Sequence, residues 1–236
     1  MKNLNIYSLI SEYDNAKSEG TLITPNVSFI NESGGVICLP ELDDPYNGHE
    51  YVDLGLPSGL KWATCNVGAS SPEQSGLYFA WGETTGYTTE QVTLGVKTFT
   101  KDEYNRGPAA SISADLTLEQ DAAHVNMGGK WRMPSSDEFQ ELLDNCNIVI
   151  TDNYNETGVK GKVFTSKVNG KSVFFPTVGG CQDSSVNILG GYDGWYWSAS
   201  WDSSTSAWYL DFSYNGEYLK PFSERYWGYS VRGVCK

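Results

Sequence analysis

Residues 194–235 read GWYWSASWDSSTSAWYLDFSYNGEYLKPFSERYWGYSVRGVC. Within it, apolar residues alternate along Trp208–Ser213, which places Trp208, Leu210 and Phe212 on one face of a strand and Tyr209, Asp211 and Ser213 on the other. The pair Asn215-Gly216 follows, a dipeptide favoured in tight hairpin turns, so the chain is expected to fold back there. Nearer the end, Tyr229, Val231 and Gly233 again share a face. The segment therefore predicts an antiparallel sheet, with Trp208, Leu210, Phe212, Tyr229 and Val231 in its core.

The alternation leaves rings over. Among the 8 Trp and 15 Tyr of the chain, twelve lie between Tyr192 and Tyr229. Tyr214, Asn215, Glu217, Tyr218, Lys220, Glu224, Tyr226 and Trp227 crowd the hairpin tip and the loop before the last strand, among polar neighbours. Trp201, followed by the polar run DSSTS, has a similar setting. Tyr and Trp supply contact area at low rotamer cost, and Ser and Asn supply adaptable hydrogen bonds. Aromatic loops on a rigid scaffold are recognition surfaces. These nine residues form the candidate ligand-binding set, and because a sugar stacks on the same rings, composition admits either a protein or a glycan.

Outward from this stretch, KVFTSKVNGKSVFFPTVGG alternates around Asn169-Gly170 and predicts a second hairpin, since both central residues of such a turn tolerate positive φ. SSDEFQELLDNC begins with Ser135 three residues before Glu138, the spacing of a capping box. It then sets Phe139, Leu142, Leu143 and Cys146 on one side, which predicts an amphipathic helix covering a sheet. A second helix is expected over Leu116–Met127. Gly and Pro punctuate YVDLGLPSGLKWATCNVGA into short strands.

Residues 1–45 differ. TPNVSFI and GGVICLP are short apolar runs joined by NESGG, a hairpin pattern, and the acidic, proline-bearing PELDDPYNGHE reads as a linker. The expected organisation is an N-terminal β segment over 1–45 and an α+β domain over 46–236, with two helices and a hairpin-rich second half. A lone hairpin cannot bury both faces, so the first segment is the candidate for assembly into a homo-oligomer such as a trimer.

Charge and chemistry narrow the function classes. Asp and Glu outnumber Lys and Arg 29 to 16, a net charge of -13, which opposes nucleic acid and anionic membranes as partners. No secretory h-region can be drawn near the N-terminus and no apolar run approaches the ~20 residues of a span, so cytoplasmic synthesis without a signal peptide is expected. The 5 cysteines show no CxxC spacing and the 2 histidines, His49 and His124, sit in no catalytic motif. Asp121, Asp183, Asp193 and Asp211 are the carboxylates open to a structural calcium ion, but they lack the dense DxDxDG spacing. The chain is therefore expected to be non-enzymatic and without a cofactor.

YVDLGLPSGLKWATCNVGA, YFAWGET, GGKWRMPSSDEFQELLDNC, GWYWSAS and GYSVRGV, in that order, resemble the paralogous Fibrobacter/Bacteroides domain family, whose members share the C-type-lectin-like fold related to that of the formylglycine-generating enzyme. The likeness spans about residues 50–236 and implies a C-type-lectin-like domain. The aromatic, Ser/Asn-rich segment ending in GYSVRGV is similar to the variable region of diversity-generating-retroelement target proteins. The leader NLNIYSLISEYDNAK with TPNVSFINESGGVIC resembles N-terminal segments of Bacteroides phage and prophage structural proteins, which implies a virion-associated receptor-binding role. A structural protein with its rings buried in a homo-oligomer is the alternative. The enzyme branch of the fold uses two reactive cysteines close in sequence, whereas here Cys181 and Cys235 are far apart, and Cys65 and Cys235 each fall in a family motif. An oxidase is thus the remote alternative.

Overall fold

The computed structural model describes Ser28–Ile30, Val36–Cys38 and residues 44–187, 191, 193–213 and 215–236. The chain divides into two compact units, Met1–Asp44 and Pro45–Lys236. In the first, β1 (Ser28–Ile30) pairs antiparallel with β2 (Val36–Cys38), Phe29 opposite Ile37, at the two apolar runs that predicted a hairpin.

The second unit is a mixed α+β structure of small open sheets and short helices. β3 (Tyr51–Asp53), β4 (Lys61–Asn66) and the last strand β13 (Arg232–Cys235) form one sheet in the order β13-β4-β3, which ties the two ends of the unit together. β5 (Cys146–Tyr154), β6 (Val159–Ser166) and β7 (Ser172–Pro176) make an antiparallel meander, and β8 (Gly180–Gln182) and β9 (Ser185–Asn187) a small hairpin. A second meander, β10 (Gly194–Trp201), β11 (Ser206–Ser213) and β12 (Gly216–Glu224), is built from the aromatic stretch.

The helices are α1 (Thr89–Thr93), α2 (Lys101–Tyr104), α3 (Ala122–Met127) and α4 (Ser136–Asn145). Among the described residues no helix is long and apolar enough to cross a membrane. α4 forms where the Ser135–Glu138 spacing predicts it: the Ser135 hydroxyl accepts from Glu138 N, and the Glu138 carboxylate accepts from Ser135 N. The same carboxylate takes a two-pronged bond from Arg132, at 2.6 and 2.7 Å. Phe139, Leu142 and Cys146 are buried and Leu143 packs beside them, as the apolar spacing requires.

The helix expected over Leu116–Met127 is broken in two. Leu118–Gln120 is a 3-10 turn, and α3 begins only after Asp121. The reason lies in the Asp121 carboxylate, which is buried and accepts from His124 N at 2.9 Å and Met133 N at 2.7 Å. A residue capping a helix N-terminus adopts extended dihedrals, here φ -92 and ψ 115, so no helix runs through it.

Two layers of core flank the β10-β11-β12 sheet. On one face Leu210 and Phe212 join Trp62, Phe139, Phe175 and Tyr196 under α4. On the other, Tyr209 and Trp197 join Trp81, Trp131, Tyr229 and Val231. This corrects the expected alternation in part: Tyr209, on the non-core face by period, is buried, while Trp208 is half-buried. Both faces are covered around Tyr209, and a bulge between Ala207 and Tyr209 shifts the period where Trp208 sits.

Both predicted hairpins form, with different turns. β6 and β7 close at Thr165↔Ser172, and the loop is held by Ser166 N to Lys171 O at 2.8 Å; within it Gly170 has φ +74 but Asn169 does not have positive φ. β11 and β12 close at Ser213↔Gly216, so the turn falls one residue before the Asn215-Gly216 pair.

Candidate functional site

The face of the second meander turned away from α4 follows from register. β10 pairs with β11 through Trp195↔Asp211 and Trp197↔Tyr209, and β11 pairs with β12 through Asp211↔Tyr218 and Tyr209↔Lys220. Residues directly opposite share a face. One row across the sheet is therefore Trp195, Asp211, Tyr218, and the next is Trp197, Tyr209, Lys220.

Polar contacts bind the rows together. Trp195 Nε1 donates to Asp211 Oδ1 at 3.1 Å, Lys220 Nζ donates to Asp211 Oδ2, and the Lys220 ammonium lies 5.5 Å from the centre of the Tyr218 ring. Asp211 thus holds one donor from each flanking strand. Beside it, Asp193 has a carboxyl raised above its ordinary value by burial and by the Asp211 charge, with Lys220 opposing.

Rings extend the surface. Tyr229 lies 5.5 Å from Trp195, 5.3 Å from Tyr209 and 6.3 Å from Trp227, and Tyr226 stands edge-on to Trp227 at 6.3 Å. Burial raises these phenols above their ordinary value: the Tyr209 hydroxyl is pushed up to about 12 by burial and the nearby Asp211 charge, and Tyr226 is raised by burial and Glu224. The base of the set is rigid. Tyr229 and Trp195 lie on the bare backbone of β8, where a Cβ on Gly180 would sit 2.6 and 2.7 Å from their ring carbons. The turn that carries Tyr226 and Trp227 is pinned by the preceding residue: buried Arg225 donates to Ala109 O, Ile112 O and Ser204 O and stacks 4.6 Å over Trp81.

Of the nine residues singled out in the sequence, Tyr218 and Lys220 lie on this face, and Tyr226 and Trp227 reach it through Tyr229. Tyr218 is 51% exposed, whereas Tyr226 and Trp227 are half-buried. Trp201 is half-buried at the far end of β10 opposite Ala207, its backbone N–H bonded to Asp115 Oδ1, and its indole N–H is buried without a hydrogen-bond partner. Asn215 is exposed at the tip, and Glu224 is exposed where β12 ends opposite Ser206. Tyr214 lies outside the described residues. Glu217 belongs elsewhere, because it faces the α4 side opposite Phe212 and pairs with the buried ammonium of Lys162.

Sequence reasoning missed Trp195 and Asp211 as members of the set. Asp211 was legible as an outward residue of Trp208–Ser213, but its partners on the neighbouring strands were not. It also overlooked Phe222 on β12, which is 80% exposed. Of the four candidate calcium carboxylates, Asp193 and Asp211 come together; Asp121 is occupied as a helix cap, and Asp183 sits at a turn with φ +53. Among the described residues no group of three or more His, Cys, Asp or Glu is placed to hold a metal ion.

The cysteines are dispersed. β13 pairs with β4 through Arg232↔Asn66 and Cys235↔Lys61, which sets Cys235 four residues along the strand from Cys65. At ~3.3 Å per residue this exceeds the ~7 Å Cα separation a disulfide spans. Cys146 and Cys181 are buried and free, and burial pushes both thiols up, Cys146 to about 11.

Set against known proteins, the chain matches no family model, no curated protein and no solved structure.

Proposed function

We propose that the unit Pro45–Lys236 is a non-enzymatic binding domain of C-type-lectin-like fold, which presents the outer face of the β10-β11-β12 sheet to a cell-surface protein or glycan. The observation that carries this reading is the connected set Trp195, Asp211, Tyr218, Lys220 and Trp227: amphipathic rings and one ion pair, partly exposed and set on buried backbone. Rings anchor an interface by filling a partner's pockets, and the rigid base lowers the ordering cost of binding. The five ordered motifs support the fold, and the Ser/Asn-rich, aromatic composition supports diversified recognition at a phage tail tip. The separation of Cys65 from Cys235 along their strands and the burial-raised thiols of Cys146 and Cys181 argue against oxidase chemistry.

The full chain should be tested on a glycan array and on intact Bacteroides cells, beside Tyr218→Ala and Lys220→Ala variants. Capture should fall at least tenfold in each variant while the melting temperature moves by only a few degrees. Unchanged capture by both variants would refute the site.

One observation favours an assembly role instead: Phe222 is 80% exposed on β12, which pairs only with β11 within its sheet. Sedimentation separates the readings. An obligate oligomer that becomes monomeric on Phe222→Ser would assign the ring to self-association.

A further inference from the structure

A concavity with no lining residue in common with the aromatic face has a volume of about 380 Å³. That size lies in the range of small-molecule sites, about 300–1,000 Å³. Its walls are the segment from Gly82 to Tyr87, the 3-10 turn at Pro108–Ser111 with Ile112, and Glu119 with Gln120. Lys97 is at its base.

The base is unusual in being a buried cation with its hydrogen bonds already filled. The Lys97 ammonium, on a residue 5% exposed, lies 3.0 and 3.3 Å from the two Glu83 oxygens and 3.2 Å from Glu103. It also stands 5.7 and 5.5 Å from the centres of the Tyr87 and Phe99 rings. Its three protons thus have three carboxylate oxygens to meet. Glu83 and Glu119 are acceptors on the cleft wall, Thr84 and Thr85 carry hydroxyls, and Gln120 accepts from Thr117 N through its oxygen, which leaves its NH₂ to donate. Close approach of opposite walls depends on Gly82, where a Cβ would sit 2.5 Å from Ile112 Cδ1.

Each class of ligand can be weighed against this lining. An anion meets Glu83, Glu119 and a chain of net charge -13, and the one ammonium has no proton left for it. A cation meets that ammonium at the base. An apolar molecule would strip water from carboxylates, hydroxyls and an amide without replacing their hydrogen bonds. A neutral molecule with several hydroxyls meets none of these costs: it donates to Glu83 and Glu119, accepts from Gln120, and exchanges with the two threonines. Pro108, Ile112 and Tyr87 offer apolar surface to its C–H face. We propose that this cleft is a second binding site, for a neutral polyhydroxylated ligand of one or two rings, a saccharide or cyclic polyol.

The test uses the full chain labelled with ¹⁵N and titrated to about 100 mM with glucose, N-acetylglucosamine, maltose or inositol, beside putrescine and succinate as charged probes, a range that detects weak millimolar binding. At least one neutral probe should shift amides of residues 82–87, 109–112 and 119–120 in a saturable way. Glu119→Ala and Thr85→Val, both at exposed positions, should weaken that binding about tenfold, the worth of one lost hydrogen bond, with the remaining amide spectrum unchanged. Tyr218→Ala should leave it intact, which separates this site from the aromatic face. Absence of saturable shifts with every neutral probe would overturn the proposal. So would shifts confined to Trp195, Tyr218 and Trp227, or tighter binding of putrescine or succinate in the cleft.

Discussion

Glu217 and Tyr218 are chain neighbours on opposite faces of β12, so replacing each by alanine separates stability from recognition. Lys162 is 3% exposed; its ammonium donates to Glu217 and to Gly216 O, and lies 5.8 Å from the Phe212 ring centre. Glu217→Ala leaves that cation buried with one carbonyl and one ring. Breaking a buried pair costs about 3–5 kcal/mol. The Glu217 side chain is 23% exposed, so water reaches the vacated position and the lower end, about 3 kcal/mol, applies. For a unit of this size each kcal/mol moves the melting temperature by about 2–4 °C, so calorimetry should show a fall of roughly 6–12 °C. Adding Lys162→Met should restore most of it, since the charge and its unmet hydrogen bonds go together. Binding to the array or cells should survive Glu217→Ala below the new transition, and should fail in Tyr218→Ala with the transition almost unmoved. If Glu217→Ala abolishes capture without loss of stability, Glu217 faces the ligand and the assignment of faces from register is wrong.

Other consequences can be measured directly. Ser135→Ala removes the capping hydroxyl of α4 and should cost about 1 kcal/mol, read as a drop of roughly 2–4 °C in the transition. Burial alone would raise the Glu138 carboxyl, but its bonds from Arg132 and Ser135 outweigh that and hold it below 4.5. A depressed carboxylate contributes stability that is present above its unfolded value and lost as pH falls through the folded one. The melting temperature should therefore decline below about pH 4.5, with a shallower acid limb in Glu138→Gln. Buried, protonated Cys146 and Cys181 should resist iodoacetamide at pH 8 in the native protein and react promptly in denaturant, as followed by mass spectrometry.

What was legible in the sequence was local. The α4 cap could be read because all its partners lie within three residues, and the apolar spacing of Phe139, Leu142 and Cys146 left one side to bury. The β11–β12 hairpin could be read from alternation, although the bulge beside Trp208 shifted its faces, because a bulge leaves no residue-type signature in this stretch. What escaped depends on distant chain. Arg225 carries no local signal of burial, yet its two terminal nitrogens donate to Ala109, Ile112 and Ser204 and its guanidinium is covered by Trp81. Glu217 joined the candidate ligand-binding set because Lys162, 55 residues earlier, cannot be matched to it by spacing. Likewise the cleft draws its walls from three separate segments, of which only Gly82–Thr84 belongs to a motif, YFAWGET.

The division of labour along β11 and β12 bears on the proposed recognition role. Period two lets a single strand contribute Leu210 and Phe212 to one core while its neighbour presents Tyr218 and Lys220 on the other side. Tyr218, Lys220, Asn215 and Glu224 each keep exposed or half-exposed side chains. Exchange at the exposed positions 215, 218 and 224 costs little, within about 0.5 kcal/mol for surface substitutions, and exchange of Lys220 adds the loss of its pair with Asp211. Tyr209 and Trp197 share a row with Lys220 and are buried together with Tyr229, 4.4 to 6.2 Å apart ring to ring, and a change there opens a cavity beside the display surface. A library randomised at 215, 218, 220 and 224 should therefore fold almost throughout and differ in ligand, whereas one randomised at 197, 209 and 229 should lose most members to unfolding. Comparable folding yields in the two libraries would show that the buried rings do not support the face, and the proposed platform would fail with them.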